Sequence, residues 1–184
     1  MDSCKDGLTC DTTAAVCRPV GGTSFDHSKL TELKGPFTVD IAGGKAVTAA
    51  CLGCHAKAGA DMLKTAHWNW AGPTPNLKGS ETKTTVGKKN LVNNFCVAVA
   101  SNEKRCAQCH AGYGMADAKF DFTDKGAIDC LACHSTKYSK DPKSGGGPAA
   151  TVDMAAAAQS VGAPTRSTCG SCHFGAGGGD NVKK

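Results

Sequence analysis

Apolar residues along this chain come in short bursts rather than long periodic runs, which predicts brief helices joined by irregular loops, with little or no β-sheet. Between Ala46 and His67, the residues Ala56, Ala60, Leu63 and His67 recur at spacings of four, three and four, the period of one helix face. The Gly72-Pro73-Thr74-Pro75 stretch ends that segment. Asn90 to Ala100 is the most apolar run, and Ser101 is placed to cap a short helix after it. Thr151 is placed to cap a helix through Ser160, with Met154, Ala158 and Val161 on one face, stopped by Gly162 and Pro164. Residues 23–45 read as extended or looped, and so do residues 112–126, with Tyr113, Phe120 and Phe122, and residues 136–147, rich in lysine and glycine. Residues 175–179 read as a flexible tail.

Such a pattern leaves little for a polypeptide core, and composition deepens the shortage, with 5% aromatics and 23 glycines in 184 residues. The motifs supply what is missing. Cys-x-x-Cys-His occurs four times, as Cys51/Cys54/His55, Cys106/Cys109/His110, Cys130/Cys133/His134 and Cys169/Cys172/His173, where random placement gives roughly 0.03 copies. Two thiols at that spacing add to the two vinyl groups of a heme, and the following histidine reaches back to the iron. Redox pairs and zinc knuckles also use Cys-x-x-Cys, but neither needs histidine as the next residue every time. The expectation is four covalent heme c groups acting as the core of one domain, residues 23–184, behind a Cys-rich leader, residues 1–22. The motifs start 55, 24 and 39 residues apart, with no strict repeat, and the short separations suggest hemes arranged in chain order.

A formal charge of +5 would ordinarily suggest nucleic acid or anionic membrane. Four hemes add about eight propionate charges and, when ferric, about four compensating core charges, so the sum is roughly +1 oxidised and −3 reduced. No basic run with interleaved aromatics of the nucleic-acid kind is present, and no apolar stretch nears the roughly 20 residues of a membrane span. Met1 is followed by Asp2, Ser3 and Cys4, so the chain reads as a mature form without a signal peptide. Resemblance to c-type cytochromes at large implies heme attachment outside the cytoplasm, hence an extracellular, cell-surface or periplasmic protein. The heme sites use eight of 12 cysteines and leave Cys4, Cys10, Cys17 and Cys96, an even number that an oxidising compartment would pair. Cys4 with Cys17 or Cys10 with Cys17 would staple the leader, the third thiol reaching Cys96; a free buried thiol is the alternative.

Four motif histidines give four proximal ligands, and only His27 and His67 remain for the opposite faces. His67 stands 12 residues after His55, about 18 Å along a helix, and so serves a different heme from the one at His55. Two irons then need another sixth ligand: Met62, Met115, Met154, a lysine amine, an open position or a residue from another subunit.

Several stretches outside the motifs carry a more specific likeness. Phe25-Asp26-His27-Ser28-Lys29, Leu33-Lys34-Gly35-Pro36-Phe37, Thr65-Ala66-His67-Trp68-Asn69-Trp70, Gly87-Lys88-Lys89-Asn90, Asn93-Asn94-Phe95-Cys96, Ala111-Gly112-Tyr113-Gly114, Asp129 to His134 and Cys169 to Phe174 together resemble the N-terminal half of the octaheme tetrathionate reductase family, from about residue 25 to 183. The resemblance implies that the heme of the second motif is the catalytic one in that family, with a lysine in place of a distal histidine. The matching position is Lys140, in Tyr138-Ser139-Lys140, with Lys137 its rival; Cys96 would lie near the same heme. The family continues through four further hemes and carries a Lys-His pair after its glycine-rich stretch, whereas this sequence reads Val182-Lys183-Lys184 there.

Two functions follow. The first is electron transfer along a row of closely packed hemes, with other cytochromes or extracellular acceptors as partners. The second is reduction of sulfur or nitrogen oxyanions at the heme of His110, with Lys88, Lys89 and Arg105 as candidate cationic lining. Electron transfer is the favoured reading, because a four-heme unit has few walls with which to enclose a substrate. An iron short of a ligand also invites head-to-tail association of copies, with His27 as donor in trans, and an association that does not close into a ring builds a filament.

Overall fold

The structure, a computed structural model, describes residues 8–11, 16–19, 25–76, 78–79, 85–87, 103–117, 119–141 and 143–174. Cys4, Cys96, Lys88, Lys89, Ser101 and the glycine tail lie outside the described residues, as does the side chain of Arg105. Within them the chain is helical in short pieces, with two ribbons of two strands each. In the leader, β1 (Leu8–Asp11) and β2 (Val16–Pro19) form an antiparallel hairpin whose register sets Cys10 opposite Cys17.

Two single 3-10 turns, His27–Lys29 and Thr31–Leu33, lead to α1 (Ile41–Cys54). Asp40 starts this helix by accepting from Gly43 N at 2.8 Å, filling a donor that the first turn leaves open. The helix thus begins five residues before the Ala46 expected from sequence, because Gly43 and Gly44 serve close packing instead of a break. A Cβ on Gly44 would come within 2.6 Å of the Tyr113 ring. It also ends sooner. His55 is its C-cap, and the expected run to His67 is split into α2 (Ala58–Met62) and α3 (Ala66–Asn69), the latter capped by Thr65 on Trp68 N at 3.3 Å. After α3, Trp70 takes a left-handed φ of 51°, unusual for a bulky side chain. Then β3 (Gly72–Pro73) pairs with β4 (Thr85–Val86).

The remaining elements carry the other motifs: α4 (Glu103–Cys106), a 3-10 turn at Lys125–Ala127, α5 (Leu131–His134), α6 (Met154–Gln159) and α7 (Arg166–His173). Asp153, not Thr151, caps α6 through Ala156 N at 2.9 Å. Thr165 and Thr168 form a reciprocal capping box at the start of α7.

Two small apolar clusters bind these pieces. Leu33, Val47, Leu131, Val152 and Met154 join α1, α5 and α6, and Trp68, Ala127 and Ile128, flanked by Phe120 and Phe122, fill the other side. The polypeptide therefore has a modest core of its own beside the surfaces a porphyrin would cover. Each large side chain in it contributes about 1.5–3 kcal/mol. Thr48 Oγ1 donates to Ile128 O at 2.6 Å in the buried interior and ties α1 to the segment before the third motif.

Candidate functional site

Each Cys-x-x-Cys-His lies on or at the end of a helical turn, which puts cysteines three apart on one face. Cys51 and Cys54 close α1 with His55 as its cap; Cys106 ends α4, and Cys109 and His110 follow in a turn. Cys130 precedes α5, which holds Cys133 and His134, and α7 holds Cys169, Cys172 and His173. All eight motif cysteines are single thiols, paired with no disulfide.

The two spare histidines come to rest beside motif histidines. His27 and His55 have ring centres 6.4 Å apart with planes at 30°; His67 and His173 are 6.3 Å apart at 83°. An iron held between opposed imidazoles needs ring centres roughly 6.2 Å apart, from a metal–nitrogen bond of about 2.0 Å and a ring radius of about 1.1 Å on each side. Both pairs fit a six-coordinate heme iron. Burial holds His27 below the ordinary imidazole value, with the His55 charge adding to it, and burial then His134 do the same for His55. Neutral imidazole is the form that binds metal.

His27 therefore faces a histidine of its own chain, contrary to the expectation of a donor in trans. The 3-10 turn that carries it packs against α6, which draws it inward. His134 belongs to neither pair. Its Nδ1 lies 2.8 Å from Gly162 O, an arrangement that makes Nδ1 the protonated nitrogen and leaves Nε2 for a metal.

The attachment turns do not follow chain order. Cys51 and Cys130 share a thiol hydrogen bond, which lowers the first and raises the second, so motif one touches motif three. Cys109 does the same to Cys172, raising it, so motif two touches motif four. Packing of α5 on α7 joins three to four, and the charge of Cys169 reaches Cys133. Motif two also meets motif three directly, with Asp129 N donating to Ala111 O at 3.0 Å, so motif three sits beside the other three. The 50 residues between motifs one and two leave room for motif three to dock on α1.

The second motif is built differently. His110 is 1% exposed, and its Nε2 lies 2.6 Å from Trp68 O. Four rings enclose it: Trp70 at 4.8 Å, Trp68 at 5.1 Å, Phe120 at 5.3 Å and Phe122 at 5.8 Å between centres. Trp68 and Trp70, suited on sequence to a heme edge, thus wrap an imidazole. Lys140 reaches the same turn, donating to His110 O and to Gly112 O, the latter at 3.0 Å, with its Nζ 3.4 Å from Asp129 Oδ2. Its rival Lys137 is exposed. Met115 and Met154 are buried, Met154 within the aliphatic cluster, while Met62 Sδ accepts from Thr65 Oγ1 at 3.6 Å. Among the described residues no cluster of three or more His, Cys, Asp or Glu forms a separate metal site, and no helix is long and apolar enough to cross a membrane.

Sequence reasoning missed Asp129, Tyr113 and Tyr138 as neighbours of this turn. The one available signal was an acidic residue directly before Cys130, a position that also lets it cap α5.

No family model matches the chain, and no curated protein does. Among solved structures it is similar to the octaheme cytochrome c from Shewanella oneidensis, with 50% identity and a TM-score of 0.71. The match covers 82% of this chain and 33% of that one, so the chain spans about a third of the length of its relative. At that identity the likeness extends to sequence as well as to the multiheme cytochrome c fold, and it supports a place among the multiheme c-type cytochromes.

Proposed function

We propose that the chain is a four-heme electron carrier, its hemes joined through Cys51/Cys54, Cys106/Cys109, Cys130/Cys133 and Cys169/Cys172, with the third attachment turn beside the other three. The observation that carries this reading is the pair of imidazole couples, His27 with His55 and His67 with His173, each at the separation a six-coordinate iron requires. Irons closed on both faces by histidine exchange electrons without binding substrate. The heme supplies the redox chemistry; the chain fixes attachment, axial ligands and spacing. His134 serves the third iron, with Gly162 O orienting its ring. At the second, Trp68 O engages His110 Nε2 and Lys140 reaches into the same turn, so Lys140 is the amine ligand and takes the place of His110, the ligand expected from the motif.

Covalent heme attachment to Cys-x-x-Cys-His supports an exported protein, periplasmic or extracellular. Copies stacked head to tail would continue the heme row as a filament, and electron microscopy of native material tests this: discrete particles alone would exclude it. A second reading, oxyanion reduction at the second heme, draws on the one observation that this turn departs from the other three.

The test is spectroscopic. Mass analysis should find four hemes. In the ferric protein, EPR should give a rhombic low-spin signal from the 30° couple and a strongly anisotropic one from the 83° couple, because near-perpendicular imidazole planes leave two iron d orbitals almost degenerate. Absence of both signals would sink the ligand scheme. Added cyanide that shifts one heme would favour the reductase reading; four inert hemes would remove it.

A further inference from the structure

Where the second and third attachment turns meet lies a buried carboxylate that the ligand scheme leaves unused. Asp129 is wholly buried at its side chain. Its Oδ1 accepts from Ala132 N at 3.1 Å, capping α5, and its backbone N donates to Ala111 O at 3.0 Å on the way out of the second turn. Oδ2 faces Lys140 Nζ at 3.4 Å, and that lysine is itself 5% exposed. The hydroxyls of Tyr113 and Tyr138 are buried near enough to Asp129 to feel its charge, yet Asp129 Oδ2 and both hydroxyl oxygens lack a hydrogen-bond partner. Burial first and Asp129 next push both phenols well above their ordinary value, so they remain neutral. The carboxylate reaches the third motif through Ala132 N, which lies between Cys130 and Cys133.

A fixed anion in a water-poor interior is weakly screened and favours ferric over ferrous iron nearby. We propose that Asp129 sets redox potential: its carboxylate lowers the potentials of the hemes attached at the second and third motifs, and the neutral hydroxyl dipoles of Tyr113 and Tyr138 beside it moderate that effect. The inference rests on the four-heme reading and on Lys140 as the second iron's amine, since a coordinated neutral lysine leaves the iron itself as the carboxylate's counter-charge.

Asp129→Asn keeps the size of the side chain and an oxygen for Ala132 N. In a spectroelectrochemical titration of the four-heme protein it should raise two of the four potentials, each by about a tenfold change in the ferric-to-ferrous ratio at fixed poise, which is 59 mV for one electron. The other two should stay put. Tyr138→Phe should move the same two potentials down by a smaller step, because the carboxylate loses a neighbouring hydroxyl dipole, and should do nothing in the Asp129→Asn background. Loosened packing would not reverse sign between the two variants. Four unmoved potentials in Asp129→Asn, an equal shift of all four, or an upward shift in Tyr138→Phe would each overturn the proposal. If Asp129→Asn fails to accumulate with four hemes, the sign of the Tyr138→Phe shift decides. Separate outcomes undo the underlying reading: a wild-type mass with fewer hemes, or a Lys140→Ala spectrum identical to wild type.

Discussion

His173 and His110 hold the same place in the same five-residue motif, yet their surroundings are opposed. His173 ends a capped helix and meets the His67 imidazole at the distance a shared iron requires. His110 sits in an irregular turn, enclosed by indole and phenyl rings, with one nitrogen already engaged by a backbone carbonyl. The motif secures covalent attachment because that chemistry needs only two thiols at the right spacing. What the histidine then does depends on which side chains the rest of the fold delivers to it.

The largest effects should come from breaking one side of that contrast. His67→Ala and His173→Ala should each remove a low-spin heme from the visible and EPR spectra without loss of covalent heme by mass, whereas His110→Ala should leave the count of low-spin hemes unchanged. A lost low-spin signal in His110→Ala would mean that its imidazole binds iron after all.

Emptying the aromatic enclosure comes next. Trp68 is fully buried against His110, Phe120 and Phe122, and its Nε1 donates to Phe122 O at 2.7 Å, so Trp68→Ala should cost about 3–5 kcal/mol in guanidinium unfolding of the holoprotein. A cost below about 1 kcal/mol would show that the enclosure adds little to stability.

A smaller step sharpens the boundary between α1 and the second turn. The methyl of Gly44→Ala would meet the Tyr113 ring, at an expected cost of about 1–3 kcal/mol. A thermal melt unchanged from wild type would show that the ring can move aside freely. The smallest effect lies away from both histidines: Lys45 and Asp124 form a 2.8 Å ion pair, but with 43% and 37% of their side chains exposed, Lys45→Ala should change stability by no more than about 1 kcal/mol.

The helices show how far the sequence reading carried. Short helices, sparse sheet, the loops after the second and third motifs, and a segment from Gly72 that ends the helical stretch were legible from turn residues and apolar spacing. The start of α1 was not, since Gly43 and Gly44 resemble a helix break until Thr38 and the Tyr113 ring are seen packed where side chains would stand. Asp153 displaced Thr151 as the cap of α6 by two residues, a choice between two capping residues that local sequence leaves open.

The four Cys-x-x-Cys-His motifs, and so the proposed attachment positions, were legible from spacing alone, because thiol addition and proximal ligation act within five consecutive residues. The sequence also limited the distal histidines to His27 and His67 by simple count. Setting His27 beside His55 and His67 beside His173, bringing motif three next to the other three, and distinguishing buried Lys140 from exposed Lys137 required the tertiary structure. These are relations between residues far apart in the chain. They are set by docking of α5 on α7 and of the third motif on α1, where burial and hydrogen bonding between distant segments outweigh any local preference.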